Sequence, residues 1–459
     1  MSRHLLQLLA AAACLATAGS SAHAAAPATP DLTARLARIA DRIASIDAQA
    51  TRIEDYNEIR NLQRIYGFYF DEALWDQVVD LFSNDATVEV GPHGVYAGKA
   101  SIRRYYLGLT GGRVGLQHGE LNNQSQLSPV ITLAADGQSA KARWRVLVQD
   151  GVFKQGSNWG GGVYENEYVK QDGVWKIRRL HFFTRFYSPY KDGWTRTTEA
   201  LNARYGRSTA KPDRPSSLRY ATWPERFVAP MHFAGEGVGV YRLAPANTAR
   251  AAAAANGQQR TVAQLEAEVR ALELKVARLR AVDDIENLQG TYGYYVDMSM
   301  ADPTAALFAD DATLEILQRG VYIGRDRIYE YMRRLGLPSQ GRMFTHMLQQ
   351  PVIHVSSDGS RAWLRGRQFE IFGVHNVQAQ WAENTYEHSY TRHEGVWKIQ
   401  TFNAWHSFYA PYEGGWSEQS NPMNYYPEYP PDLPHSVKYE PYPSIFVAPF
   451  HYRNPVSGR

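Results

Sequence analysis

One cysteine in 459 residues is the entire thiol inventory, and it stands at position 14. Cys14 lies in an apolar run, Leu5 to Ala18, that follows Arg3 and His4 and leads into Ala22-His23-Ala24. That order of charge, apolar stretch and small-residue A-x-A site is the pattern of a secretory signal. Cleavage after Ala24 leaves a chain without disulfides, thiolate ligands or a cysteine nucleophile, and the expected destination is the periplasm or the cell exterior. A lipoprotein reading of Ala-Ala-Ala-Cys14 is the lesser alternative, because an alanine rather than a larger aliphatic stands three before the cysteine. No later run approaches the roughly 20 apolar residues of a membrane span, so none is expected. Charge of one sign is also scarce. Forty-nine Lys+Arg against 46 Asp+Glu give +3, far from the basic stripe that nucleic acid requires. P-loop, G-x-S-x-G and H-E-x-x-H sequences are missing, so neither a cofactor nor a metal is expected.

What is present is a duplication. Ile59 to Asp71, IRNLQRIYGFYFD, returns as Ile285 to Asp297, IENLQGTYGYYVD, with 8 of 13 positions identical at an offset of 226. The correspondence runs on through Asp85/Asp311 and Gly94/Gly320, then at an offset of 222 through Gly173-Val-Trp-Lys-Ile177 and Gly395-Val-Trp-Lys-Ile399. Units of this length are duplicated domains rather than solenoid repeats. The expected division is a signal at 1–24, a first domain at 31–233, a linker at 234–260 rich in Ala, Gly and Asn, and a second domain at 261–452. Each domain includes a long leading helix and a Pro-rich tail. Leu32, Leu36, Ile39, Ile43, Ile46, Ala50 and Ile53 space 4-3-4-3, as do Leu265, Val269, Leu272, Val276 and Leu279. This stripe predicts that the two leading helices pair within the chain, or that they join copies in a homo-oligomer. Short helices at Ser101 to Leu109 and Asp326 to Leu335 precede strand patterns punctuated by Asp136-Gly137, Asp172-Gly173, Asp358-Gly359 and Glu394-Gly395. Helices followed by an antiparallel sheet make an α+β fold, not a doubly wound one.

A helix ending Tyr66-x-x-x-x-Asp71, a Trp75-Asp76 helix into Leu81-Phe-x-x-Asp85-Ala86, then Gly98-x-x-x-Ile102 and the closing Gly-Val-Trp-Lys-Ile hairpin resemble the SnoaL-like, nuclear transport factor 2-like superfamily. The resemblance covers about residues 52–194 and 280–416. It implies two cone-shaped α+β barrels in tandem, each with one apolar pocket, and the many Tyr, Trp and Phe side chains, 29, 11 and 17, suit a flat, oxygenated ring in such a pocket. Within that superfamily the site pattern is most similar to scytalone dehydratase, with Asp71 four before Trp75 and Asp297 in the equivalent place. His346 and His375 have placements similar to that family's histidines, while Phe70 and Val296 replace its tyrosine. The implied activity is a cofactor-independent lyase of hydro-lyase type on an aromatic, polyketide-like or steroid-like molecule. The alternatives are a non-catalytic binder and an isomerase or cyclase.

The residues have their own chemical rationale. An aspartate at the end of an apolar helical face needs a partner such as histidine, and an Asp/His pair serves proton shuttling. The copies differ here: Gln124 and Phe153 stand in register with His346 and His375. Asp297, His346 and His375 are therefore the expected catalytic group. Tyr292, Tyr295, Tyr386 and Asn403 in the second copy, with Tyr66, Tyr69, Asp71, Tyr164 and His181 in the first, are the expected substrate-binding residues. Arg143, Arg145, Arg365 and Arg367, with Glu165 and Glu387, are expected to form structural ion pairs across strands.

Overall fold

A computed structural model describes residues 29–233, 260–336, 339–419 and 428–459. The expected signal and nearly all of the expected linker lie outside the described residues. Two compact units are present, one formed by the leading parts of the two long helices and the other by everything that follows them.

In the helical unit, helix α1 (Thr29–Asp71) and helix α5 (Val262–Asp297) meet along part of their heptad stripes, while Leu32 and Val276 of the expected positions are exposed. Ile43, Ala50, Leu265, Val269 and Leu272 are buried together, flanked by Leu36, Ile39 and Ile46. Lys275 closes the edge, with its ammonium 3.0 Å from Asp47 and 3.1 Å from Glu54.

The second unit holds both cones. After α1 the first cone continues through α2 (Trp75–Asp80), β1 (Phe82–Val90), β2 (Val95–Ala97), α3 (Lys99–Leu109), β3 (Glu120–Leu133), β4 (Ser139–Val152), β5 (Gly156–Gln171) and β6 (Val174–Pro189), then the short α4 (Glu199–Asn202). After α5 the second cone repeats the order with α6 (Ala301–Ala306), β7 (Phe308–Ile316), β8 (Val321–Ile323), α7 (Arg325–Arg333), β9 (Arg342–Val355), β10 (Arg361–Val374), β11 (Gln378–His393) and β12 (Val396–Pro411). The sheets run β2-β1-β6-β5-β4-β3 and β8-β7-β12-β11-β10-β9. They are antiparallel except where β1 meets β6 and β7 meets β12, which are parallel. This is the expected α+β cone, with one parallel pair per sheet that the alternation of residues does not reveal. Asp172-Gly173 and Glu394-Gly395 have positive φ at both positions, the backbone of a two-residue hairpin turn. Each cone wraps an aromatic core: Tyr66, Trp75, Phe82 and Tyr106 in the first, Tyr292, Phe308, Tyr331 and Phe402 in the second.

The two cones pair through polar contacts of β3 and α1 with β9. Ser125 donates to Gln349 at 2.6 Å, the Gln126 amide donates to Gln350 at 2.8 Å, and Asn61 donates to the Ile353 carbonyl at 2.8 Å. Phe450 of the second tail packs edge-on to Tyr69 of the first cone. The first tail stays on its own sheet, where the His232 amide donates to Glu165. The expected ion pairs form at Arg143–Glu165, 2.7 Å, and Arg365–Glu387, 2.6 Å.

Candidate active site

Asp297 ends α5, and β9 passes it so that the His346 amide donates to Asp297 Oδ1 at 2.9 Å while the ring Nδ1 lies 2.7 Å from the same oxygen. A carboxylate accepts only, so this contact places the ring proton on Nδ1 and leaves the Nε2 lone pair facing inward. Glu370 stands directly opposite His346 in the β9–β10 ladder. Its Oε1 lies 3.8 Å from Nε2 and accepts from Asn384 on β11 at 2.7 Å. The imidazole thus sits between two carboxyl groups, bonded to one and spaced from the other. Phe344 and Phe372 flank the ring, with centroids 4.7 and 5.7 Å away.

Burial raises the Glu370 carboxyl above the ordinary carboxylate range, against the pull of His346 and Asn384. Asp297 adds to the rise and the Arg319 guanidinium opposes it. Arg319 follows β7 and donates to the Tyr331 hydroxyl. His406 on β12 is held neutral, its pKa lowered to about 3 by burial and by Arg319. Tyr292 and Tyr386 are buried, their hydroxyls kept protonated by desolvation, and both rings pack on Phe402 at 4.6 and 5.1 Å. The arrangement offers an oriented base, a protonatable acid opposite it, and a guanidinium for negative charge, inside an aromatic wall.

Several expected residues lie elsewhere. His375 is on the exposed β10–β11 turn, where its amide donates to the Gly341 carbonyl at 2.7 Å. Five residues of extended chain, roughly 17 Å, separate it from Glu370, so it does not join Asp297 and His346. Asp71 keeps the backbone contact of its counterpart, accepting from the Gln124 amide at 2.7 Å, but its other oxygen pairs with Arg367 of the second cone. The reading of Asp71 as substrate-binding is therefore revised to an inter-cone ion pair, and Arg367 to the partner of Asp71 and Glu383. Tyr69 is packed under Phe450 and Tyr452. His181 stacks on Phe183 at 3.9 Å and lines a cavity of about 380 Å³ beneath the first tail, with its pKa lowered to about 3 by burial and by Arg179. Asn403 shares that outer position in the second cone, its amide donating to His388 Nδ1 at 3.2 Å. Tyr295 is half-buried at the end of α5. Tyr66 and Tyr164 do line the first cone's cavity.

Glu370, Asn384, Arg319 and His406 were not anticipated. The duplication carries a signal for three of them. Glu370 aligns with Val148, Arg319 with His93, and His406 with Thr184, each a change of chemistry at a matched position.

Fold and site together define a duplicated α+β cone protein in which Asp297, His346 and Glu370 cluster in the second cone. The SnoaL-like domain profile matches residues 51–181 and 277–403, more than half of the chain, and the protein belongs to the SnoaL-like domain family. No curated protein matches it. Among solved structures, a putative scytalone dehydratase from Novosphingobium aromaticivorans is 19% identical and covers 33% of this chain and 96% of its own, with a TM-score of 0.28. A type 2 hexachlorocyclohexane dehydrochlorinase, LinA, is 22% identical over 30% of this chain and 91% of its own, TM-score 0.27. A LinA type 3 from Novosphingobium barchaimii is also 22% identical, over 30% and 92%, TM-score 0.27. These likenesses concern the fold of a single cone.

Proposed function

We propose that the protein is an exported, cofactor-independent lyase that eliminates water from a small aromatic or fused-ring substrate in the second cone. The observation that carries this reading is His346, bonded to Asp297 at 2.7 Å through one nitrogen and 3.8 Å from Glu370 at the other. In the proposed cycle Nε2 removes a proton from the carbon beside a carbonyl or phenol, and the C–H electron pair becomes the new double bond. The hydroxyl on the adjacent carbon leaves with the Glu370 proton as water. The proton on His346 then returns to Glu370 and restores both groups. Asp297 holds the tautomer and stabilises the imidazolium, while Arg319 faces charge that develops on the substrate oxygen. Export rests on the segment 1–24 and is read by N-terminal sequencing of the secreted protein.

Removing a general base costs about 10²- to 10⁴-fold in rate. With a substrate found by following ultraviolet absorbance of hydroxylated aromatic ketones, His346→Ala and Asp297→Asn are expected to lose that much, and Asp71→Asn far less. Equal losses at Asp71 and Asp297 would place chemistry in both cones. Full retention of turnover in His346→Ala would remove the mechanism, and ligand binding without turnover in any form would make the protein a carrier.

A further inference from the structure

The first cone has lost the imidazole and the glutamate, yet it encloses a cavity of about 640 Å³, a size typical of small-molecule sites. Its wall is phenolic, with Tyr66, Tyr164, Tyr187 and Tyr205. A carboxylate enters it from a place the second cone does not use: Asp150 on β4, in register with Phe372. The Tyr187 hydroxyl lies 2.8 Å from Asp150 Oδ1 and 3.0 Å from Oδ2, and Asn158 donates to Oδ1 at 2.8 Å. One hydroxyl hydrogen serves both oxygens, so Oδ2 keeps acceptor capacity toward the cavity.

The position is held from outside as well. Trp416 of the second cone donates to the Asp150 carbonyl at 2.7 Å, and the Ser417 amide donates to Ser157 on the facing strand. Trp194, the matching residue of the first cone, is exposed. Arg204 and Arg207, both exposed, edge the same cavity. Glu120 also lines the cavity but is paired with Arg113 at 2.9 Å, so Asp150, the flat phenolic walls and the two guanidiniums, of which Arg204 acts on Asp150, select an aryl molecule that carries both a hydroxyl and an anionic group.

We propose that the first cone is a second, chemically distinct binding site for a planar hydroxylated aryl acid, whose hydroxyl donates to Asp150 and whose anionic group meets Arg204 and Arg207. The site stands independently of any chemistry at His346, and the two cones then take different molecules.

The test is calorimetric titration of the full chain with 6-hydroxy-2-naphthoic acid, and with 2-naphthoic acid, which lacks the hydroxyl. The expected result is a class of site that prefers the hydroxylated probe. A hydrogen bond to a charged group supports a preference of about tenfold or more. Asp150→Ala should remove the preference, Arg204→Ala with Arg207→Ala should weaken both probes, and His346→Ala should leave this class in place. Should Asp150→Ala fail to fold by circular dichroism, Tyr187→Phe and the exposed arginine pair carry the comparison. No binding to the wild type would overturn the proposal. So would binding that disappears in His346→Ala while the Asp150 and arginine variants keep it.

Discussion

His346 shows how one side chain acquires a direction from its neighbours. Its backbone amide and its Nδ1 both reach Asp297 Oδ1, so strand position and ring tautomer are fixed by a single carboxylate oxygen. Glu370, in contrast, is buried and only 2% exposed, and its Oε2 has no hydrogen-bond partner among the described residues. A buried carboxyl in that state favours its protonated form, the form that the proposed elimination requires. Glu370→Gln retains an oxygen for Asn384 and removes the transferable proton. Turnover is expected to fall about 10²-fold with ligand affinity kept within a few-fold, measured as kcat against KM. Unchanged kcat would take Glu370 out of the chemistry.

At the scale of elements, the heptad stripes, the hairpin turns and the duplicated motif were all readable, because each depends on local periodicity or on turn backbone that residue type dictates. Ile43 and Leu272 are buried where the 4-3 spacing puts them. Changing Ile39 and Ile43 together to Asp sets two carboxylates into the helix pair, and apolar burial worth about 1.5–3 kcal/mol per side chain is lost. The melting transition of the helical pair should drop by several degrees or separate from that of the cones. An unaltered thermal profile would mean that the stripe contributes no stability. The site was legible only in part. The Asp297–His346 contact was foreshadowed because one copy has an imidazole at 346 where the other has an amide. His375 was misplaced because placement by register does not tell where a strand ends and its turn begins. Asp71 and Tyr69 read as pocket residues on their own helix, yet their partners, Arg367 and Phe450, come from some 300 or more residues away in the sequence. A single-helix pattern holds no information about a surface that another domain covers.

The pairing of the two cones is electrostatically costly at its centre. Asp71, Glu72 and Glu383 gather near Arg367, which contacts Asp71 and lies 3.7 Å from Glu383, while the Arg365 guanidinium also acts on Asp71 and Glu72. Burial raises Asp71 to about 6 and Glu383 to about 7, with Arg367 opposing the rise in both. A carboxyl with a folded-state pKa above its unfolded value binds more protons when native. Its favourable contribution is complete below about pH 4 and is lost as pH rises through about 7. Glu383→Gln, which keeps the oxygen that accepts from Asn123, removes this loss. Its effect on stability relative to the wild type should therefore be small near pH 4 and stabilising at pH 8, on the order of 1 kcal/mol or more, or a few degrees in Tm. Arg367→Met acts in the opposite sense. It leaves Asp71 and Glu383 without their cation, a change that costs about 3–5 kcal/mol for a buried pair, and the cost should shrink toward pH 4 as both carboxyls protonate. Comparing thermal melts of the three proteins at pH 4, 6 and 8 isolates these terms from the histidines, which are common to all. Stability differences that stay constant across that range would show that the cluster is solvated and that its titration contributes nothing to the pairing of the cones.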